Sequence, residues 1–443
     1  MAGDERERAT ITVLQAIAFI IGIVIGIGIF RTPQIVAQNV ASEHAFIALW
    51  IAGGLITLMG ALVYAELASA YPSGGGEYHF LTRAFGRPVG LLFAWARVTV
   101  IQTGAIAAVA FVYGDYAQQL VPLGPFGPAL HAALALLVLT AVNLAGSQQG
   151  KGTQLALVVL TMATIAAVVL AGLWTAAGRG VFAPSLPATG VSAPGFAMIF
   201  VLLTYGGWNE AAYLSAEIKD ARRNMVRVLV LSTSAIAMIY VLMNLAYLSI
   251  LGLGGLQKSS AVGADAIRAV AGEYGAVAVG FVVCSAALST LNSSIFIGAR
   301  LYQAVGNDLP ALQRLGLGRV QAGTPRAAIA TQGGVALALV VFGAPMRHGF
   351  ESMVAYTAPV VWLFLLLAGL SLLVLRHREP DRERPFRVPF YPLIPALFCL
   401  TCAYLLYSSL ADTGLGGFIG VAVLLLGIPV VWLALPRSDH KAE

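Results

Sequence analysis

The sequence predicts an all-α membrane protein of twelve transmembrane helices, and three observations carry that reading. Of the 443 residues, 59% are hydrophobic and only 10% charged, with a mean hydropathy of +0.84; a soluble domain carries about a quarter charged residues. Apolar runs long enough to cross a ~30 Å hydrocarbon core as helix recur along the whole chain. Two of these runs, the first and the sixth, are interrupted by glycine in corresponding places.

In chain order the spans are 12–38, 46–69, 89–119, 128–146, 152–176, 193–217, 227–252, 273–303, 326–344, 352–375, 389–409 and 415–435. Their connections are short and marked by Gly, Pro and charge, as at 122–128 and 376–387, so the chain reads as one transmembrane domain, 1–443. The first run is too long for a secretory signal, and a charged stretch precedes it. Lys and Arg concentrate at the N-terminus, in the even-numbered connections (Arg83, Arg87, Lys151, Arg222, Arg223, Arg227, Arg376 to Arg387) and at the C-terminus. The odd-numbered side has only Arg31, Arg179, Lys258, Arg268 and Arg347. Cytoplasmic loops collect basic residues, so both termini are expected in the cytoplasm of a cell-membrane protein. The net charge of +6 fits loop arginines at a membrane surface and no nucleic-acid footprint. Cys284, Cys399 and Cys402 all lie within apolar runs and read as small hydrophobes.

Span 1 contains Gly22-Ile23-Val24-Ile25-Gly26-Ile27-Gly28-Ile29-Phe30, and span 6 contains Tyr205-Gly206-Gly207-Trp208-Asn209. Glycine-interrupted segments at matching positions of two halves point to a transporter's midplane site and to an inverted repeat, here about 12–176 and 193–375 with accessory helices in 389–435. Unwound backbone at membrane depth is tolerated only where it lines a cavity or meets a ligand. A half-helix starting after Gly26 offers free N–H groups and a positive dipole end to a carboxylate. Carbonyls near Ile23 and Val24, with that of Tyr205, suit an ammonium. A zwitterionic α-amino acid carries both groups, and neutral backbone poles recognise it without a costly buried charge.

The same residues carry a family resemblance. Gly26-Ile27-Gly28-Ile29-Phe30 with Pro33, then Glu66-Leu67-Ala68-Ser69-Ala70-Tyr71-Pro72-Ser73-Gly74-Gly75-Gly76-Glu77-Tyr78, resembles the amino acid–polyamine–organocation superfamily. Tyr205 to Asn209 with Glu217 and Arg222-Arg223-Asn224 is similar to its L-type amino-acid transporter branch; Asn292, Arg300, Asp308-Leu309-Pro310, Thr324-Pro325 and Arg384-Pro385-Phe386-Arg387-Val388-Pro389 agree. The resemblance implies a LeuT-like fold, a 5+5 inverted repeat with broken helices 1 and 6, working by alternating access. It implies a substrate cradle at Val24, Gly26, Ile27 and Gly28, with Ile23 beside them, and at Leu203, Tyr205, Gly206, Trp208 and Asn209. The middle of the GxG motif is commonly Ser in the family; Ile27 lacks that hydroxyl, and Leu203 stands where the family has an aromatic gate. Eukaryotic L-type carriers bind a heavy chain through a Cys in the loop after span 3. The stretch 118–131 has none, so no disulfide-linked partner is expected, as in stand-alone prokaryotic members. No cofactor or metal set is expected.

Ionisable residues are candidates for coupling and gating. Glu66, Glu77, Arg83 and Arg87 read mainly as an intracellular gate or helix-end network around the close of span 2, beyond membrane depth, with substrate contact as the alternative. Glu210 reads as a cap on the second half-helix, with a titrating role as the alternative. In the family register set by Asn143, Gly146 and Gln154, Gln148 stands where a Lys often replaces a sodium ion, and Lys151 lies one turn on. A neutral amide there favours uncoupled exchange over sodium symport.

The expected function is exchange of neutral L-amino acids. Proton symport, a cationic or polyamine carrier, and an amino-acid sensor that moves nothing stand as alternatives. A channel lacks its polar pore, and an enzyme its nucleophile or metal set.

Overall fold

A computed structural model describes residues 11–73, 75–145, 151–179, 193–215, 217–308, 325–346, 348–412 and 414–434. The helices are α1 (Val13–Val24), α2 (Gly28–Gln38), α3 (Glu43–Ala70), α4 (Gly76–Phe85), α5 (Arg87–Leu120, with a π turn at Arg97–Ile101), α6 (Gly127–Leu144) and α7 (Lys151–Arg179). There follow α8 (Pro194–Thr204), a 3₁₀ segment Trp208–Ala212, α9 (Ala221–Lys258), α10 (Val262–Asp308), α11 (Arg326–Gly343), α12 (Gly349–Arg378), α13 (Leu393–Asp412) and α14 (Leu415–Ala434). Among the described residues the one β-type pairing is an isolated bridge between Ile11 and Ile218.

Ten of these helices are long and apolar enough to cross a membrane, or eleven when the pair α1 and α2, bent by 50°, is taken as one span. The predicted sixth span is not among them because it is no continuous helix. It stops at Thr204 after 11 residues and resumes only as the five-residue 3₁₀ segment. A second difference lies between predicted spans 7 and 8. The chain there is helical rather than an open connection: α9 bends at Gly252 (φ 66°) and α10 begins at Val262 and bends at Gly272 (φ 72°). Leu253, Leu256, Ala261 and Val262 are buried in this stretch, which explains why an apolar connector stays ordered.

The chain divides into two compact units. The first comprises Met1–Gly90, Val168–Val262 and Trp362–Ser408; the second comprises Leu91–Ala167, Gly263–Val361 and Ser409–Glu443. Spans 1, 2, 6 and 7 therefore fall in the first unit and spans 3, 4, 8 and 9 in the second. The cuts at 167/168 and 361/362 pass through α7 and α12, the fifth and tenth spans.

Within the first unit α3 packs along α9 and α8, and small residues let it do so, as in membrane bundles generally. A Cβ at Gly53 would run into Val201 Cγ1, and one at Gly60 would stand 2.7 Å from Trp208. The second unit uses the same device. A Cβ at Gly114 in α5 would collide with the Pro128 carbonyl oxygen in α6. Its core also holds a polar link, where Asn143 Nδ2 donates to Asn292 Oδ1 at 2.7 Å.

Candidate functional site

The two breaks lie in the first unit and touch. A Cβ at Gly207 would stand 3.0 Å from Ile23 Cγ2 and 3.3 Å from Val24 Cγ2, and one at Gly28 would stand 3.1 Å from Thr204 Cγ2. Thr204 Oγ1 and Thr32 Oγ1 share a hydrogen bond of 2.7 Å across the same contact. Glycine is needed at 207 for a second reason, since its φ of 104° lies where a side chain is strained.

At the first break, α1 ends at Val24 and α2 starts at Gly28. Among the described residues no backbone carbonyl takes the N–H groups of Ile27, Gly28 or Ile29, and no side chain caps the start of α2. This is the donor-rich, positive end of an 11-residue helix. The carbonyl of Val24 is already engaged. It accepts the Gly26 N–H at 2.7 Å and the Tyr240 hydroxyl at 2.7 Å, which occupies both lone pairs. No backbone N–H among the described residues reaches the carbonyls of Ile23 or Tyr205.

At the second break, the Leu203 carbonyl accepts the Gly206 N–H at 3.0 Å, and Leu203 itself is half-buried. The ring of Tyr205 is buried between Trp50 and Tyr240, and its hydroxyl donates to the Trp50 carbonyl at 3.0 Å. Trp208 is buried edge-on to Tyr64, ring centroids 4.9 Å apart. Asn209 donates from Nδ2 to Glu77 Oε1 at 3.0 Å. Glu210 is half-buried in the first turn of the 3₁₀ segment; its N–H donates to the Gly207 carbonyl at 3.1 Å. Of the coupling candidates, Gln148 lies outside the described residues, and Lys151 is placed only as the first residue of α7.

The structure redraws the expected helix-end network: Arg384 links its Glu66 and Arg83 parts, with Nε 3.6 Å from Glu66 Oε1 and Nη2 donating to the Glu379 carbonyl at 2.8 Å, while Glu77 makes its side-chain hydrogen bonds elsewhere. Glu66, with no exposed surface, accepts Arg376 Nε at 2.7 Å, Arg376 Nη2 at 2.5 Å and the Val388 N–H at 2.6 Å. Arg83 pairs with Glu379 at 2.8 Å. The chain turns sharply after Ala70, with Gly76 at φ 47°, and α4 runs back so that Glu77 meets Tyr64, Asn209 and Tyr213. Glu77 and Asn209 are 132 positions apart, and no local pattern announces that pairing. Tyr240, which occupies the Val24 carbonyl from α9, was equally hidden in an apolar run.

The amino-acid sequence matches a known family over nearly the whole chain. The sequence model described as amino acid permease covers residues 11–433. The chain belongs to the amino acid permease family. Members of this family, part of the amino acid–polyamine–organocation superfamily, are transporters and not enzymes. The chain is 29% identical to b(0,+)-type amino acid transporter 1 of Mus musculus over 90% of this chain and 82% of that protein. It is 29% identical to large neutral amino acids transporter small subunit 2 of Homo sapiens over 100% of this chain and 83% of that protein. It is 25% identical to the cystine/glutamate transporter of Homo sapiens over 97% of this chain and 87% of that protein. All three are similar at the level of the L-type branch.

Proposed function

We propose that this permease exchanges neutral L-amino acids across the cell membrane by alternating access, with the substrate held between the two breaks. The observation that carries the reading is the contact of the span 1 and span 6 breaks, with the N–H groups of Ile27, Gly28 and Ile29 on one side. These donors suit the carboxylate, and the carbonyls of Ile23 and Tyr205 suit the ammonium. Gly26 and Gly206 keep the backbone bare at the site, and Ile27, Leu203 and Trp208 supply apolar surface for an uncharged side chain. A LeuT-like arrangement of twelve spans with both termini in the cytoplasm is part of the proposal. The division of the chain supports it, because each unit takes equivalent spans from both halves and both cuts fall in fifth spans.

The test is counterflow in proteoliposomes against a panel of alanine, serine, leucine, lysine and glutamate. Neutral substrates should exchange saturably, with sodium replaceable by choline and little change between pH 6 and 8. Gln148→Lys should alter the kinetics more than Lys151→Ala. A sodium requirement, or lysine or glutamate outcompeting leucine, overturns the reading. Binding without movement of label would make the protein a sensor.

A further inference from the structure

Glu77 is only 4% exposed and gathers neutral donors from two elements. Its Oε1 accepts the Tyr64 hydroxyl at 2.6 Å and Asn209 Nδ2 at 3.0 Å, and its Oε2 accepts the Tyr213 hydroxyl at 3.0 Å. Trp208 on Tyr64 and the ring of Tyr213, against which a Cβ at Gly76 would press at 2.8 Å, fasten the same segment. The carboxylate therefore holds the first turn beyond the span 6 break against α3 and α4.

The chemistry of the pair fixes more than position. An ionised carboxylate only accepts hydrogen bonds, whereas an amide has a donor end and an acceptor end. Asn209 turns its NH2 to Glu77 Oε1, so Oδ1 is the group it offers elsewhere. The hydrogen bond seen for this side chain is the one Nδ2 donates to Glu77, and none is seen to Oδ1 among the described residues. Asn209 stands two residues past Gly207, which touches Ile23 and Val24. At this junction one acceptor expected for an ammonium, the Val24 carbonyl, is already used by Gly26 and Tyr240. We propose that Glu77 is a positioning residue of the substrate site: it locks the Asn209 amide with its NH2 inward and so presents Oδ1 to the ammonium group of a bound amino acid. The inference rests on the transport reading above and adds a source of selectivity for the amino group.

Three variants test it, in reconstituted full-length protein with L-leucine as substrate. Its ammonium-free counterpart 4-methylpentanoate serves as a competitor. Glu77→Gln keeps the shape but lets either end face Asn209, so the KM for leucine should rise roughly tenfold, the effect of one lost hydrogen bond to a charged group. Inhibition by 4-methylpentanoate should not change, because it has no ammonium to lose. Asn209→Asp sets two carboxylates face to face and should raise KM at least as much. The double variant, Glu77→Gln with Asn209→Asp, restores a donor against an acceptor. Its introduced amide donates to the introduced carboxylate, which keeps one oxygen for the ammonium. The KM should return to within about threefold of wild type. Additive losses in the double variant, an unchanged leucine KM in Glu77→Gln, or an equal loss of 4-methylpentanoate binding overturns the proposal. If Glu77→Gln does not assemble, Asn209→Asp carries the test, and wild-type leucine affinity there is equally fatal. Wild-type liposomes that exchange none of the panel would sink the transport reading itself, a result separate from all of these.

Discussion

At the span 1 break the backbone is completed mostly by backbone: Gly26 folds onto the Val24 carbonyl, Tyr240 adds one hydroxyl, and the donors that open α2 remain available. At the span 6 break side chains take over. Tyr205 is held by Trp50, Trp208 by Tyr64, and Asn209 and Tyr213 by Glu77. One break is left open at its donor-rich end, and the other is pinned from behind by a buried carboxylate. The difference teaches that a pair of glycine motifs can look alike in sequence while their energetics come from different sources. At one break the backbone poles are left open, and at the other a polar clasp of side chains fixes the wall.

The comparison breaks most sharply at Gly28. Valine there would drive a Cβ to 3.1 Å from Thr204 Cγ2 and crowd the open donors. Overpacking of this kind costs about 1–3 kcal/mol, so Gly28→Val should weaken substrate binding by up to ~100-fold while the protein still inserts and folds. Wild-type affinity in a scintillation proximity assay would remove the site from this position.

Gly207 and Gly26 sharpen the contrast between pinned and open. Gly207→Ala puts a side chain at φ 104° and against Ile23 and Val24, a strain of about 1–2 kcal/mol that should lower the thermal midpoint in detergent by several degrees. At Gly26 the nearest atoms to an added Cβ are 3.9 and 4.0 Å away, so Gly26→Ala should change stability by less than about 0.5 kcal/mol. Equal losses in the two variants would mean that the breaks are built alike after all.

The smallest effect is expected where α4, which supports the pinned break, is tied down by Arg83 and Glu379. The hydrogen bond from the Arg83 guanidinium holds the Glu379 carboxyl below the usual carboxylate range. A depressed carboxyl contributes stability that is present above its unfolded value of about 4.3 and lost as pH falls through the folded one. Arg83 is 39% exposed, so solvent screening leaves roughly 0–1 kcal/mol. Glu379→Gln should melt slightly below wild type at pH 7, and the two should converge below about pH 4. A gap that widens in acid would reverse the sign of this contribution.

Much of this was legible in the sequence for a plain reason: hydrocarbon imposes long apolar runs, and unwinding one requires glycine, so Gly26, Gly28, Gly206 and Gly207 stand out. Span 6 ends as an 11-residue helix for the same reason that its break is readable: glycine interrupts it. What stayed hidden depends on contacts between distant residues. Glu77 lies near Arg83 and Arg87 in sequence, but the turn at Gly76 sends it to Tyr64 and Asn209. The kinked helical connector around Gly252 and Gly272 carries no sequence signal of its own, because its apolar residues are too few to stand out as a span.

Glu66 has a bearing on how the chain is made. Its guanidinium partner Arg376 lies 310 positions downstream. At ~5–20 residues per second that partner emerges roughly 15–60 s after the carboxylate. Until then Glu66 has no cation to meet at its buried position, and an unpaired buried charge costs several kcal/mol. The end of α3 can therefore settle only once the segment after α12 has been synthesised and laid against it. A chain cut short before Arg376 would lack both guanidinium groups, Arg376 and Arg384, that meet this carboxylate.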